Sequence, residues 1–195
     1  VTTDSSGNVF ISGQEYNGGS NCGILIKLDS SGAILWQKRL RDSAMQDIVF
    51  KSVTTDSSGN SYVAGYSNYP YRVIVVKYNS SGTLQWQRTL AVSSSQTCFG
   101  ESIKCDTYGN LYVGGTVNLT KANTLVLKLP VDGSGAGTYG SGTTFTYASS
   151  SFSDLTPSFS ASSLGWTAAA PSLGTTAGDF TAASQTITNT KITVV

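Results

Sequence analysis

The side chains that do most acid–base and nucleophilic chemistry are scarce in this sequence. Its 195 residues include no histidine, which removes Ser-His-Asp and Cys-His catalysis and histidine-ligated metal sites. The glutamates are Glu15 and Glu101, and they sit in dissimilar surroundings. A glycosidase needs two carboxylates roughly 5–9.5 Å apart, and no recurring pair is visible. Cys22, Cys98 and Cys105 are odd in number and lack motif spacing, a poor disulfide framework that points to free thiols in a reducing compartment. Gly135-Ala136-Gly137-Thr138-Tyr139-Gly140 spells a dinucleotide-binding pattern. The residues that follow do not read as a helix, so the stretch is expected to be a joint. Asn79-Ser80-Ser81 and Asn118-Leu119-Thr120 fit the glycosylation sequon, which matters only in a secreted eukaryotic protein.

Recognition has better candidates. Three loops, "QEYNGGSNCG", "YSNYPYR" and "TVNLTKAN", differ from one another while the segments around them agree. Divergent loops on a constant frame are where binding residues are usually placed. Tyr16, Tyr66, Tyr69 and Tyr71 offer rings for stacking on sugars, and Asn17, Asn68 and Asn118 offer amides to bond them.

The frame is a repeat. "VTTDSSGNVFISG" (1–13) returns as "VTTDSSGNSYVAG" (53–65) and as "IKCDTYGNLYVGG" (103–115), and between the copies lie "GILIKLDSSG", "RVIVVKYNSSG" and "TLVLKLPVDG". Each unit carries two turn phrases. In Asp4-Ser5-Ser6-Gly7 the carboxylate accepts from amides further along and the glycine takes the left-handed position that closes a hairpin. Turn capping explains these aspartates without a metal. One unit then reads as four strands, near 47–55, 60–66, 72–79 and 83–90 in the second copy. The third strand of each copy is almost continuously apolar, which requires cover on both faces. Trp36 and Trp86 recur in the outermost strand, where an indole can bridge to a neighbouring unit. Lys27, Lys77 and Lys128 recur too and are expected to be solvated or snorkelling.

These residues resemble the bacterial β-propeller repeat written D-x-x-G-N-x-Y-V-x-G followed by K-x-D/N-x-x-G-x-x-x-W, a cousin of the NHL repeat and of quinoprotein blades. The resemblance covers about residues 1–133. It implies an all-β fold of four-stranded antiparallel blades about 50 residues apart, in residues 1–135, with the first and third incomplete. A propeller closes with roughly four to eight blades. The chain begins without methionine and inside an expected strand, so further blades are expected upstream.

Residues 136–195 form a second region, rich in Ser, Thr, Ala and Gly. Phe145, Phe152, Phe159, Trp166, Leu173, Phe180, Ile187 and Val194 fall every seventh residue. As a coiled coil the segment would hold Pro157 and Pro171, at about 3 kcal/mol each, beside several glycines. The expectation is an extended, β-like, heptad-periodic tail whose bulky residues pack between chains.

Blades followed by such a tail are similar to structural proteins of tailed-phage virions. The resemblance implies a non-enzymatic tail, fibre or appendage component, assembled in the host cytoplasm. Its expected partners are copies of itself, as a trimeric fibre, other virion proteins and host surface glycans. No cofactor, metal, nucleic acid or membrane partner is expected. The net charge of +1 and 12% charged residues give no electrostatic footprint for a polyanion. The alternatives are a bacterial cell-surface or secreted adhesion propeller and a carbohydrate-active propeller enzyme.

Overall fold

A computed structural model describes residues 1–44, 46–68, 71–92, 96–119, 121–140 and 144–157. Fourteen strands and no helix occur among them. The first blade contains β1 (Thr2–Thr3), β2 (Val9–Asn17), β3 (Ser20–Leu28) and β4 (Ile34–Arg41); the second contains β5 (Ile48–Thr55), β6 (Ser61–Ser67), β7 (Arg72–Tyr78) and β8 (Leu84–Val92). These bounds lie within two residues of the strands expected in the second repeat. The third blade has three strands, β9 (Thr97–Cys105), β10 (Asn110–Asn118) and β11 (Ala122–Pro130). Neighbouring strands in each blade pair antiparallel.

The apolar third strands are explained by where their two faces go. On β7, Val73 and Val75 join a core cluster with Leu111, Val113 and Leu125 of the third blade. Ile74 and Val76 join a second cluster with Phe10, Leu25 and Leu40 of the first. The middle blade is thus covered on both sides, and each side takes alternate residues, as the two-residue period of a strand requires.

Bulges recur with the repeat. The β5–β6 register slips between Phe50 and Ser52, and the β9–β10 register slips between Gly114 and Gly115. In the outer pairs the slip follows Lys27 and Lys77, leaving Leu35 and Gln85 as the extra residues. A bulge re-aims the side chain beside it, and here those are Trp36 and Trp86.

The chain then departs from the expected plan. The compact unit spans Val1–Ser158, so residues 136–157 belong with the blades and not with a separate tail. They form β12 (Gly137–Tyr139), β13 (Phe145–Ser149) and β14 (Ser153–Leu155). The glycine pattern at 135–140 therefore contains a short strand. β12 and β13 extend the second sheet beyond β8, and β14 extends the first beyond β4.

Candidate assembly site

Each blade is joined to the next by one tryptophan and one lysine. Trp36 Nε1 and Lys27 Nζ both donate to the Ser80 carbonyl, at 3.1 and 3.4 Å. Trp86 Nε1 and Lys77 Nζ both donate to the Val131 carbonyl, at 3.2 and 3.3 Å. Each indole lies on the glycine of the receiving turn. A Cβ on Gly82 would come within 2.9 Å of Trp36, and one on Gly133 within 2.8 Å of Trp86. Those glycines also have φ of 80° and 72°, a left-handed conformation that favours glycine. The expected docking role of the tryptophans is what the geometry shows. Lys128 is exposed, as expected, but Lys27 and Lys77 are engaged between blades. Lys27 is 6% exposed, pairs with Asp4 at 3.4 Å and lies 5.0 Å from the Phe10 ring centre. A buried ammonium needs such partners, and the neighbouring turn supplies the carbonyl.

The turns between the first two strands of each blade are held by aspartates. Asp56 accepts from the N–H of Ser58 and Asn60 at 2.9 and 3.0 Å, from Asn60 Nδ2 at 2.8 Å and from the Tyr62 hydroxyl at 2.8 Å. Asp4 and Asp106 accept the corresponding bonds from Asn8 and Asn110. Burial alone would push the Asp56 carboxyl up, but the Asn60, Tyr62 and backbone donors outweigh it and hold it below the ordinary carboxylate range. A depressed folded value stabilises the protein above the unfolded carboxyl pKa of about 4, and that stability is lost as pH falls through the folded value. The urea midpoint is therefore expected to be level from about pH 7 to 5 and to drop below about 4. Asp56→Asn should lower the neutral midpoint and flatten that drop. Equal acid sensitivity in the variant would show that Asp56 is not responsible.

The chain beyond the third blade runs back along the outer edge. β13 pairs with β8, Phe145 facing Val92 and Thr146 facing Ala91; β14 pairs with β4, Ser153 facing Arg41. Thr146 and Ser153 are seven residues apart. Ala91 and Arg41 are fifty apart and hold equivalent places relative to Trp86 and Trp36. Seven residues of this strap therefore match one blade. Phe145 packs on the core cluster between the second and third blades, and Phe152 on the cluster between the first and second. Between them the strap crosses at Gln87, which is 8% exposed. Its Nε2 donates to the Phe152 carbonyl at 3.0 Å, and its Oε1 accepts from the Phe152 N–H at 3.1 Å. Past the crossing, Asp154 accepts from the Tyr78 hydroxyl at 3.0 Å.

The expectation that the bulky residues pack between chains is corrected for Phe145 and Phe152, which pack within this one. The heptad step reaches the next blade of the same chain before it can reach another. Phe159, Trp166, Leu173, Phe180, Ile187 and Val194 lie outside the described residues.

Comparison with known proteins bears on the same blades. The family described as Beta-propeller repeat matches residues 46–72, a span that runs from the entry to β5 through the β6–β7 hairpin. The chain carries a β-propeller repeat. No curated protein matches it.

The propeller blades bring the candidate binding loops to equivalent hairpin ends, but their polar groups are largely engaged there. Asn68 Nδ2 donates to Asp47 at 2.8 Å, and Asn118 Nδ2 donates to Thr97 at 2.9 Å. With its amide oxygen turned toward Arg39, Asn17 accepts at 3.2 Å. Arg39 in turn forks onto Glu15 at 2.8 and 2.9 Å, so this glutamate is held in an ion pair. Tyr66 and Tyr71 pack on Phe99 of the third blade, with ring centres 5.0 and 5.3 Å apart. Tyr16 remains 72% exposed, and Tyr69 lies outside the described residues. Asp47 was not singled out from the sequence, yet it accepts from the Asn21 N–H at 2.6 Å and from Asn68, fastening the first blade to the second. Its only signal was a position just before β5.

Proposed function

We propose that the chain is a non-enzymatic structural module of an assembled particle, in line with its resemblance to tailed-phage virion proteins. The blades act as a rigid spacer and the C-terminal segment fastens them. The observation that carries this reading is the matched step of the strap, seven residues to each blade. A segment that repeats its contacts in time with the blades is built to hold them in register. The chemistry-bearing groups fit the same role: the turn aspartates cap hairpins, Glu15 is paired with Arg39, and Lys27 and Lys77 join blades.

The test is labelling of purified virions with an antibody to this chain, viewed by electron microscopy, beside product analysis of a glycan panel incubated with the purified protein. Label at one fixed place on the particles and intact glycans are expected. Label confined to the bacterial surface, or turnover of any glycan, overturns the proposal.

A further inference from the structure

In the first two blades the third strand carries a fourth on its outer edge. β4 lies on β3 with Trp36 opposite Lys27, and β8 lies on β7 with Trp86 opposite Lys77 and Gln87 opposite Val76. The same edge of β11 has no paired strand among the described residues. The chain turns away from it. After the turn that closes from Gly133 to the Pro130 carbonyl, it builds β12 and β13 onto the second sheet and β14 onto the first. Burial differs accordingly. Val76 and Tyr78 are fully buried, whereas their counterparts Leu127 and Leu129 are half-buried.

An apolar groove of about 410 Å³ runs along this edge, lined by Leu127 and Leu129 of β11 and by Leu90, Phe145 and Tyr147 of the second sheet. Tyr147 is 3% exposed, yet its hydroxyl has no hydrogen-bond partner among the described residues. A buried hydroxyl in that state is destabilising until a ligand supplies the partner. On the other face of β11, Val126 and the neighbouring Tyr112 are 72% and 39% exposed, while Val75 and Tyr62 at the same places in the second blade are 2% and 0%. Part of the cover on Tyr62 is the Trp86 ring, 6.2 Å away between centres, and that ring belongs to the fourth strand.

We propose that the β11 edge receives a β-strand from another polypeptide, one that carries the apolar-x-aromatic-amide pattern of β4 and β8. The two finished blades identify the occupant. Ile34-Leu35-Trp36-Gln37 and Leu84-Gln85-Trp86-Gln87 share that pattern and fill this edge in their own blades. On β11 the aromatic residue stands opposite Lys128 and covers Tyr112, as Trp86 covers Tyr62. The amide stands opposite Leu127, on the groove side, and meets the Tyr147 hydroxyl. Main-chain bonds to the edge supply affinity, and the alternate side chains supply selectivity. A small apolar molecule fills the groove but leaves the outward amides and carbonyls of β11 unpaired. The described residues after β11 are committed to the first two blades, so the strand is assigned to another chain. The inference rests on the structural reading above and names the class of its partner.

A synthetic peptide of Leu84–Val92, added to the full chain, is the probe, and hydrogen exchange followed by NMR locates it. One peptide per chain is expected. The alternate β11 amides that point away from β10 should exchange fast beforehand and become protected on binding. A peptide carrying Gln87→Pro loses a ladder donor and should not bind. In the protein, Tyr147→Phe should keep the urea midpoint of the chain alone, because the hydroxyl has no partner there, yet weaken peptide binding about fivefold. No binding, equal binding of the proline peptide, equal affinity in the Tyr147→Phe variant, or protection at another strand edge each overturns the proposal. Protection of those amides before peptide is added also overturns it. At every protein concentration it gives the edge to further residues of this chain, and where it grows with concentration it gives the edge to a second copy. Each of these outcomes leaves the strap docked, so the structural reading is judged separately on the labelled particles.

Discussion

Alanine at Gly65 is expected to unfold the second blade. This glycine sits in the second strand of the blade, β6. At Gly65 a Cβ would lie 1.9 Å from the Val49 carbonyl oxygen and 2.9 Å from the Phe50 Cα. Those are backbone atoms, fixed by the bulge in β5, and cannot turn aside as a flexible side chain could. The Gly65 carbonyl is in turn close to Gly100 of the third blade, where an added Cβ would meet it at 2.8 Å. Relieving the clash means moving β5 and the blade junction together. Overpacking on that scale costs about 3 kcal/mol or more, a large part of the roughly 5–15 kcal/mol that holds a domain. Gly115 repeats the geometry, with a Cβ 1.9 Å from the Phe99 oxygen. Urea unfolding followed by tryptophan fluorescence measures the loss. A Gly65→Ala variant as stable as the wild type would show that β5 can move aside and that the close approach does not set the cost.

The second large effect concerns the strap. A chain ended at Gly140 loses β13 and β14 and the cover they give to both core clusters. It leaves the Tyr78 hydroxyl without Asp154 and the buried Gln87 amide without the Phe152 backbone. Tyr147 alone is 3% exposed, and removing a buried ring of that size costs about 3–5 kcal/mol. Each orphaned buried polar group adds about 1–3 kcal/mol. The truncated chain is therefore expected to be unfolded or to melt far below the intact one. Phe152→Ala, at a half-buried ring, should cost about 2 kcal/mol. Its effect should not vary with protein concentration, because the ring packs within its own chain. Were Phe152 an interchain contact, the loss would shrink as concentration rises.

The blades were legible in the sequence because their signals are local. Asp4, Asp56 and Asp106 announce a hairpin four residues before it closes, and Gly7, Gly59 and Gly109 adopt the left-handed turn the phrase demands, with φ of 78°, 75° and 81°. Trp36 and Trp86 could be placed because a large ring repeating in an outer strand needs a neighbour to cover it. Lys27 could not, since lysine is rarely buried and its acceptor is a main-chain carbonyl 53 residues away. The strap was hidden for a related reason. A seven-residue spacing is foreign to a single strand, whose period is two, and makes sense only against a fifty-residue step elsewhere in the chain. Neither period discloses the other until Thr146 is seen facing Ala91 and Ser153 facing Arg41. In the recognition loops the divergence of the three copies was plain, but the partners of Asn17, Asn68 and Asn118 come from positions 21 or 22 residues away.

The strap runs from the second blade to the first, opposite to the order in which a ribosome makes them. The first blade is complete in sequence by Arg41, but its outermost strand, β14, is not made until Ser153–Leu155. At roughly 5–20 residues per second, the nascent blade waits about five to twenty seconds with the β4 edge unpaired, and an open edge is a template for pairing with another chain. Emergence of Asp154 closes a 76-residue interval back to Tyr78. β14 thus shields an edge made more than a hundred residues earlier, and a stall in translation before residue 153 leaves a nascent chain prone to aggregation.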